Sequence, residues 1–354
     1  RVLPEFSSRP SVLLFCGSSS IASFPFQAPP FCIFFSRLGL RSQNNFISNS
    51  NCTHLQFFLP QFNSLSKKMT AELIDGKAIA LQLRNKIAAD IKLIQLKHAD
   101  FKPHLAIVQV AERPDSNTYV KMKVKAAEEA EIVCDLIKFP ESTTEFELLS
   151  EIERLNESVD VDGILVQLPL PAHIDEVKVT NAVSSDKDVD GFGPYNVGEL
   201  SKQGGSPKFL PCTPKGIIEL LSQKNVQISG ANAVVLGRSD IVGKPMANLL
   251  THANATVTVL HSKTPQAQLE LFLSQADIVV AAIGSAGAIK GDWIKPGAVV
   301  IDVGTNFIPD STKKSGSQMV GDDAFEPASN KAPLLTPVSG GAGPLTVATL
   351  LDNV

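Results

Sequence analysis

A tyrosine and a lysine four residues apart, Tyr119 and Lys123, lie in the run Ser116-Asn117-Thr118-Tyr119-Val120-Lys121-Met122-Lys123. In a helix that spacing puts both side chains on one face. The run follows directly on an apolar, strand-like segment, and open α/β sheets place their ligands in the first turns after a strand. A lysine held near a tyrosine and shielded from water can act as a general acid or base. Alone this signal is weak, because most helix lysines are solvated; Lys121 and Lys125 are expected to be. Gln167 closes another apolar run and is followed by Leu168-Pro169-Leu170-Pro171, so two prolines fix the exit of the chain and hold the Gln amide at the sheet edge. Asp188-Val189-Asp190-Gly191 offers carboxylates that can grip an amino-pyrimidine edge through two parallel hydrogen bonds. An Asp before Gly is also an ordinary turn residue, and both readings stand for any single example.

A second kind of chemistry is written in Gly237-Arg238-Ser239-Asp240-Ile241-Val242-Gly243. A glycine turn between a strand and a helix lets backbone N–H groups and the helix N-terminus face a pyrophosphate. The spacing is GxSxxxG rather than GxGxxG, so the motif draws its weight from the strand, turn, helix and second strand around it. An NAD site ordinarily carries Asp or Glu about 20 residues on, to accept from the ribose 2′-hydroxyl. Here the second strand runs into His261-Ser262-Lys263-Thr264, with no acid. Arg238 and Ser262 suit a 2′-phosphate, which favours NADP; Lys263 reads equally as a solvated surface lysine.

The elements that must position these residues alternate. Residues 77–98 place Ile79, Leu83, Ile87, Ile91 and Ile94 at helical spacing. Strands are expected at 104–110, 132–139 and 161–167. Between them come a helix capped by Asp115 or Ser116 and another from Thr143 to Leu155. Strand–helix alternation implies a parallel sheet. The Gly- and Pro-rich stretch 184–213 reads as a loop crossing between domains. A second unit has strands at 231–237, 255–261, 276–284 and 297–304 with helices between the first three, the doubly wound pattern. A Gly-rich turn and the start of an apolar helix occupy 336–352.

Composition narrows the class. The 354 residues are 44% hydrophobic and 19% charged with a formal charge of −4, ordinary for a chain with a sizeable core and, at about 150 residues per domain, suggestive of two domains. The acidity argues against a nucleic-acid partner, and no apolar run is long enough to suggest a membrane span. The five Cys form no CxxC pair, so neither a zinc site nor a redox motif is offered. Residues 1–68 stand apart: one acid (Glu5), six basic residues, 13 Ser and 11 of the 19 Phe. That composition suits an organelle transit peptide. Since the first Met is Met69, it suits equally a translation upstream of the true start. A start at Met69 implies a cytoplasmic protein; a transit peptide implies mitochondrion or plastid. Without this segment the chain carries 26 basic and 35 acidic residues.

Taken in order, DSNTYVKMKVKAAEE, GILVQLPLP, KDVDGF, PCTPKGI, GRSDIVGKPM, HSKT, IKGDWIKPGAVVIDVG and SGGAGPLT resemble the bifunctional methylenetetrahydrofolate dehydrogenase/methenyltetrahydrofolate cyclohydrolase family over about residues 72–352. The segment PDSTKKSG (309–316) is more like the version at the head of eukaryotic trifunctional one-carbon tetrahydrofolate synthases, so the chain reads as a fragment of one or as a free-standing paralogue. The resemblance implies an N-terminal α/β catalytic, folate-binding domain (72–213, with a return of 336–354) and a C-terminal Rossmann-like NADP-binding domain (214–335), with a cleft between them and a homodimer formed through the nucleotide domain. It implies Lys123 as the catalytic lysine, Tyr119 beside the bound pterin, Gln167 tuning the lysine, and Asp190 rather than Asp188 holding the pterin. Leu168 and Pro169 adjoin the substrate. Gly237, Arg238, Ser239 and Ser262 contact NADP, as does the position of Thr305, and Ser339, Gly340, Gly341, Ala342 and Gly343 form a folate-binding loop.

The chain departs from the family at several places. Ser339, Ala342 and Leu345 stand where Pro, Val and Met are usual, Thr305 where Ile is usual, and Ala111 and Glu131 where Gly is usual. Glu131 falls at a helix end that favours a left-handed glycine. The chain also stops soon after its last helix begins, which would leave apolar surface uncovered. These departures imply lowered activity or stability. They also motivate one alternative, a catalytically impaired folate- and NADP-binding paralogue. A 2-hydroxyacid dehydrogenase fits the nucleotide half alone, but no catalytic His paired with a substrate-clamping Arg is evident.

Overall fold

A computed structural model describes residues 71–309, 312, 317–322, 328–338 and 340–354. The segment 1–68 lies outside the described residues, as does Ser339 of the glycine loop. The chain enters through β1 (Glu72–Leu73) and α1 (Gly76–Gln95). The Asp75 carboxylate caps α1 by accepting from Ala78 N at 3.0 Å, which satisfies one orphan donor of the first turn.

Next come β2 (His104–Val110), α2 (Pro114–Glu129), β3 (Val133–Phe139), α3 (Glu145–Glu157) and β4 (Gly163–Gln167). The strands form a parallel sheet in the order β3-β2-β4. Central β2 is covered on both faces and so reads as a continuous apolar run. Helix α2 does not start from a side-chain cap at Asp115 or Ser116. It begins at Pro114 after Arg113, where the missing proline N–H leaves no bond unmade. Helix α3 is closed by a capping box between Thr144 and Glu147.

The stretch 184–213 is not the plain loop its glycines and prolines suggest. After α4 (Glu176–Ala182) it holds α5 (Pro194–Ser201), entered through a proline, and it runs into α6 (Cys212–Gln223). Residues 187–189 lie along β4: Ile164 N donates to Lys187 O at 2.8 Å, and Asp188 bridges Ile164 in parallel.

The second half contains β5 (Asn232–Leu236), α7 (Gly243–His252), β6 (Thr256–Leu260), α8 (Gln266–Leu273), β7 (Ile278–Ala281), a 3₁₀ turn at Gly291–Trp293 and β8 (Val299–Asp302). These are followed by an antiparallel hairpin of β9 (Asn306–Pro309) and β10 (Ser317–Val320), then β11 (Leu334–Leu335) and α9 (Ala342–Asn353). All six strands of its sheet are parallel, in the order β1-β11-β8-β7-β5-β6. Two-residue β1 and β11 are too short to leave a periodic signal.

Helices α1 and α9 serve both halves. Ile79 and Ala80 of α1, with Leu345 and Ala348 of α9, join the core around β5, β7 and β8. Ile87 and Ile91, with Val347, Leu350 and Leu351, join the core around β2 and α2. The expectation of uncovered apolar surface at the last helix is not met. Leu345, Val347, Ala348, Leu350 and Leu351 are all at 3% exposure or less, each burial of a large apolar chain being worth about 1.5–3 kcal/mol.

Candidate active site

Lys123 projects from the third turn of α2, which starts at the carboxyl end of β2. Gln167 ends β4, in register with Gln109 of β2. The Lys123 amine donates to Gln167 Oε1 at 3.0 Å. The Gln167 amide nitrogen is spent on Leu168 O at 2.7 Å, which turns the carbonyl oxygen toward the lysine. Leu168 and Pro169, joined by a cis peptide bond, continue from that edge. Tyr119 is half-buried one turn before Lys123 on the same helix.

Asp190 reaches this place from the 187–189 segment. The chain turns there, just past the bridge of Asp188 with Ile164, and brings the Asp190 carboxylate within electrostatic reach of Lys123. Burial raises its carboxyl to about 6, with Lys123 pulling down and Asp188 pushing up. Burial lowers the Lys123 amine, opposed by Asp190 and then Cys212. The two groups therefore sit closer together in proton affinity than a free lysine and a free aspartate would.

The two aspartates differ in their surroundings. Asp188 is 4% exposed. It accepts from Gly193 N at 2.7 Å, Asn196 Nδ2 at 2.8 Å and Phe192 N at 3.2 Å, which makes it the brace of the turn. Burial raises its carboxyl while those bonds oppose the rise.

Sequence reasoning missed Cys212 and Asn353. Cys212 opens α6; its thiol donates to Val189 O at 3.3 Å and lies 3.8 Å from Asp190 Oδ1. Burial pushes that thiol well up, so it acts as a neutral donor. Asn353 of α9 donates to Val189 O at 2.8 Å and Leu210 O at 3.0 Å, and its own carbonyl accepts from Lys215 at 2.7 Å. The signal available for Cys212 was its place at the head of a helix in PCTPKGI, immediately after the crossing segment. Asn353 gave none, since nothing local distinguishes it from a surface residue near a helix end.

The nucleotide motif has a steric basis in the second half. Gly237 has φ 125°, and a Cβ there would stand 2.1 Å from Ala282 O. A Cβ on Gly243 would stand 2.4 Å from Gly237 O. Both positions thus exclude any side chain. Ser239 Oγ accepts from Val242 N and Gly243 N at 3.2 and 3.3 Å. Arg238 and Ser262 each lie two residues beyond the paired Leu236 and Leu260, so adjacent parallel strands deliver both, exposed, to one edge. Thr305 is exposed beyond the end of β8. These residues fit a phosphorylated dinucleotide: a cradle free of Cβ atoms, a helix N-terminus, a guanidinium and hydroxyls.

In the glycine loop, Gly340 has φ 91°. Gly341 precedes α9, and Ala342 and Gly343 form its first turn. Loop and helix α1 meet backbone to backbone, since a Cβ on Gly76 would fall 1.9 Å from Gly341 O. Leu345, counted above among the departures in this loop, is a core residue packed against Gly216. Ala111 (φ 64°) and Glu131 (φ 62°) do adopt the left-handed conformation that glycine would take without strain.

Fold and site define a two-half α/β enzyme class, one half a Rossmann-like dinucleotide binder and the other presenting a shielded lysine. Comparison with known proteins makes this specific. Residues 74–190 match the sequence model of the tetrahydrofolate dehydrogenase/cyclohydrolase catalytic domain, and residues 211–354 that of its NAD(P)-binding domain. Bifunctional protein FolD 2 of Arabidopsis thaliana is 52% identical over 288 residues, covering 81% of this chain and 95% of that protein. The cytoplasmic C-1-tetrahydrofolate synthase of Saccharomyces cerevisiae is 55% identical over 293 residues, 80% of this chain and 31% of the synthase. The chain thus spans about a third of such synthases. The crystal structure of Trypanosoma brucei methylenetetrahydrofolate dehydrogenase-cyclohydrolase, in complex with NADP cofactor and an inhibitor, superimposes with a TM-score of 0.78 at 41% identity, covering 80% of this chain and 96% of that one. The chain belongs to the tetrahydrofolate dehydrogenase/cyclohydrolase family. Relatives carry names placing them in the cytoplasm, mitochondrion and chloroplast. Among the described residues no helix is long and apolar enough to cross a membrane.

Proposed function

We propose that the chain oxidises methylenetetrahydrofolate to methenyltetrahydrofolate with NADP+ and hydrolyses the product to formyltetrahydrofolate. The observation that carries the reading is the Lys123–Gln167 hydrogen bond beside Asp190 at the carboxyl edge of the first sheet. We assign 72–213 with the return 336–354 to the folate-binding half, and 214–335 to the nucleotide half. NADP+, when bound, supplies the acceptor for a hydride. Arg238 and Ser262 hold its 2′-phosphate, with Gly237, Ser239 and Thr305 lining the site. Asp190 grips the amino-pyrimidine edge of the pterin, and Tyr119 packs beside it. Leu168, Pro169 and the loop Ser339, Gly340, Gly341, Ala342 and Gly343 complete the folate site.

Hydride transfer needs two carbons aligned and no side-chain proton acceptor. Hydrolysis of the methenyl bridge does need one, because the attacking water loses a proton and a ring nitrogen gains one. Lys123 takes that role, with Gln167 aiming its amine. The desolvation that lowers its proton affinity eases the amine's release of a proton.

We propose further that the protein is a homodimer joined through the nucleotide half. In support, β6 is an outer strand of the large sheet and Val259 on it is 40% exposed; sedimentation gives the mass that checks this. The compartment is cytoplasmic with a start at Met69 and mitochondrial or plastid with residues 1–68 as a transit peptide, which subcellular fractionation of the native protein distinguishes.

The test of the main reading follows NADPH and methenyl absorbance together. The wild-type protein is expected to perform both steps. Lys123→Met keeps the apolar stem and removes the amine, so methenyltetrahydrofolate should accumulate while NADPH still forms. A variant that hydrolyses the methenyl compound well above the uncatalysed rate would show that Lys123 is not the acid–base group.

A further inference from the structure

Asp322 lies in the turn after β10, outside every residue assigned above. Its side chain is fully buried, and each carboxylate oxygen takes two N–H donors. Oδ2 accepts from Ile283 N at 2.7 Å and Gly284 N at 3.0 Å. Oδ1 accepts from Ser285 N at 2.8 Å and Asn306 Nδ2 at 2.9 Å. Three successive backbone N–H groups converging on one anion form a nest, here filled by the protein itself. Main-chain bonds extend the brace, with Gly287 N donating to Gly321 O at 3.3 Å and Ile289 N to Asp322 O at 3.1 Å. The loop 283–289 after β7 is therefore built on Gly321–Asp322.

That loop borders the nucleotide edge. Gly237 packs against Ala282 so closely that no Cβ fits between them. Gly304, immediately before Thr305, is equally tight against the Asp322 carboxylate, where a Cβ would lie 2.4 Å from Cγ. Asp322 thus fixes two loops together, those following β7 and β8, on the edge where parallel sheets of this kind bind dinucleotides.

We propose that Asp322 is a positioning residue for the cofactor: it sets the 283–285 and 304–306 loops in the arrangement that binds NADP and takes no part in the folate site. The inference rests on the function proposed above. Its chemistry is specific to a carboxylate. An amide of the same shape must turn its NH2 toward one pair of N–H donors, leaving those donors unsatisfied and opposed.

The test is Asp322→Asn on the full chain, with NADP affinity measured by titration and the two reactions assayed separately. Cyclohydrolase turnover of supplied methenyltetrahydrofolate needs no NADP, so it reports on the folate site and on folding at once. The expected result is a Kd and KM for NADP raised roughly tenfold or more, the scale of stranded buried donors. Cyclohydrolase rate and folate KM should stay within about twofold on the same reasoning. Asn306→Ala removes only one of the four donors and should shift NADP affinity the same way by less, which keeps the test open should Asp322→Asn fold poorly. Unchanged NADP affinity in either folded variant, or an equal fall in both reactions, overturns the proposal. A wild-type protein that binds no NADP refutes instead the function on which it rests.

Discussion

Replacing Asp190 by asparagine should make the protein more stable at neutral pH while disabling it. The carboxyl stands at about 6 in the folded chain because burial disfavours its charge, against about 3.9 in an unfolded one. A group whose folded value is raised binds its proton more tightly when folded. Its contribution to stability is therefore greatest below about pH 4 and is lost as pH rises through about 6. The difference of about 2 in pKa, at about 1.4 kcal/mol each, means that ionised Asp190 destabilises the fold by up to about 3 kcal/mol above pH 7. Lys123 is already counted in that figure as the chief opposing influence. Because that attraction lies within the figure, the net stabilisation expected of Asp190→Asn at neutral pH is up to about 3 kcal/mol. Urea unfolding of both proteins at pH 7.5 and 4.5 reads this directly, provided the slopes agree. The advantage of Asp190→Asn should be full at pH 7.5 and fall to about a third at pH 4.5, where the wild-type carboxyl is protonated when folded and mostly ionised when unfolded. Folate KM should rise and both reactions weaken, with NADP affinity unchanged. A variant no more stable than wild type at pH 7.5, or equally advantaged at both pH values, would refute the reasoning.

Two further outcomes are expected. Arg238→Ala should weaken NADP roughly tenfold or more and NAD by little, since the lost charge-assisted bonds go to the 2′-phosphate; equal loss for both nucleotides in parallel titrations would contradict that role. Glu131→Gly should stabilise the fold by about 0.5–1 kcal/mol, because the left-handed backbone at φ 62° strains a side chain and not a glycine. The Lys92–Glu131 pair it removes is solvent-exposed and worth little; thermal unfolding without a rise in Tm would count against the strain.

The central parallel strands were legible because both faces are covered, so β2, β5, β7 and β8 read as short, mostly apolar runs bounded by turn residues. The lysine site was legible in part for the same reason: Gln167 sits at a strand end, and Tyr119 and Lys123 on the helix that follows a strand, places that the pattern locates. What escaped depends on pairing across long separations. Strand β1 pairs with β11 over more than 250 residues of chain, and neither is long enough to show a period. Helix α5 was hidden by the same glycines and prolines that mark loops, although Pro194 occupies the one helical position where proline fits well. The buried polar residues were the least legible. Asp322 and Asn353 look like surface residues because a sequence does not show which backbone groups will converge on a side chain.

That asymmetry bears on how the departures from the family should be weighed. A change is costly where backbone or a buried group leaves no room, and the glycine loop shows the contrast within five residues. A Cβ on Gly341 would stand 2.4 Å from Pro337 O, and one on Gly76 of α1 would stand 1.9 Å from Gly341 O, so both identities are forced by packing. Leu345, one turn into α9, packs in a core of aliphatic side chains, where exchange with a residue of similar volume ordinarily costs under about 1.5 kcal/mol. The two helices that meet at this loop, α1 and α9, each contribute to the cores of both halves. The glycines therefore fix how this loop stands on the scaffold. Leu345 belongs with the interchangeable core positions, and its difference from the family's usual residue is no argument for an impaired enzyme.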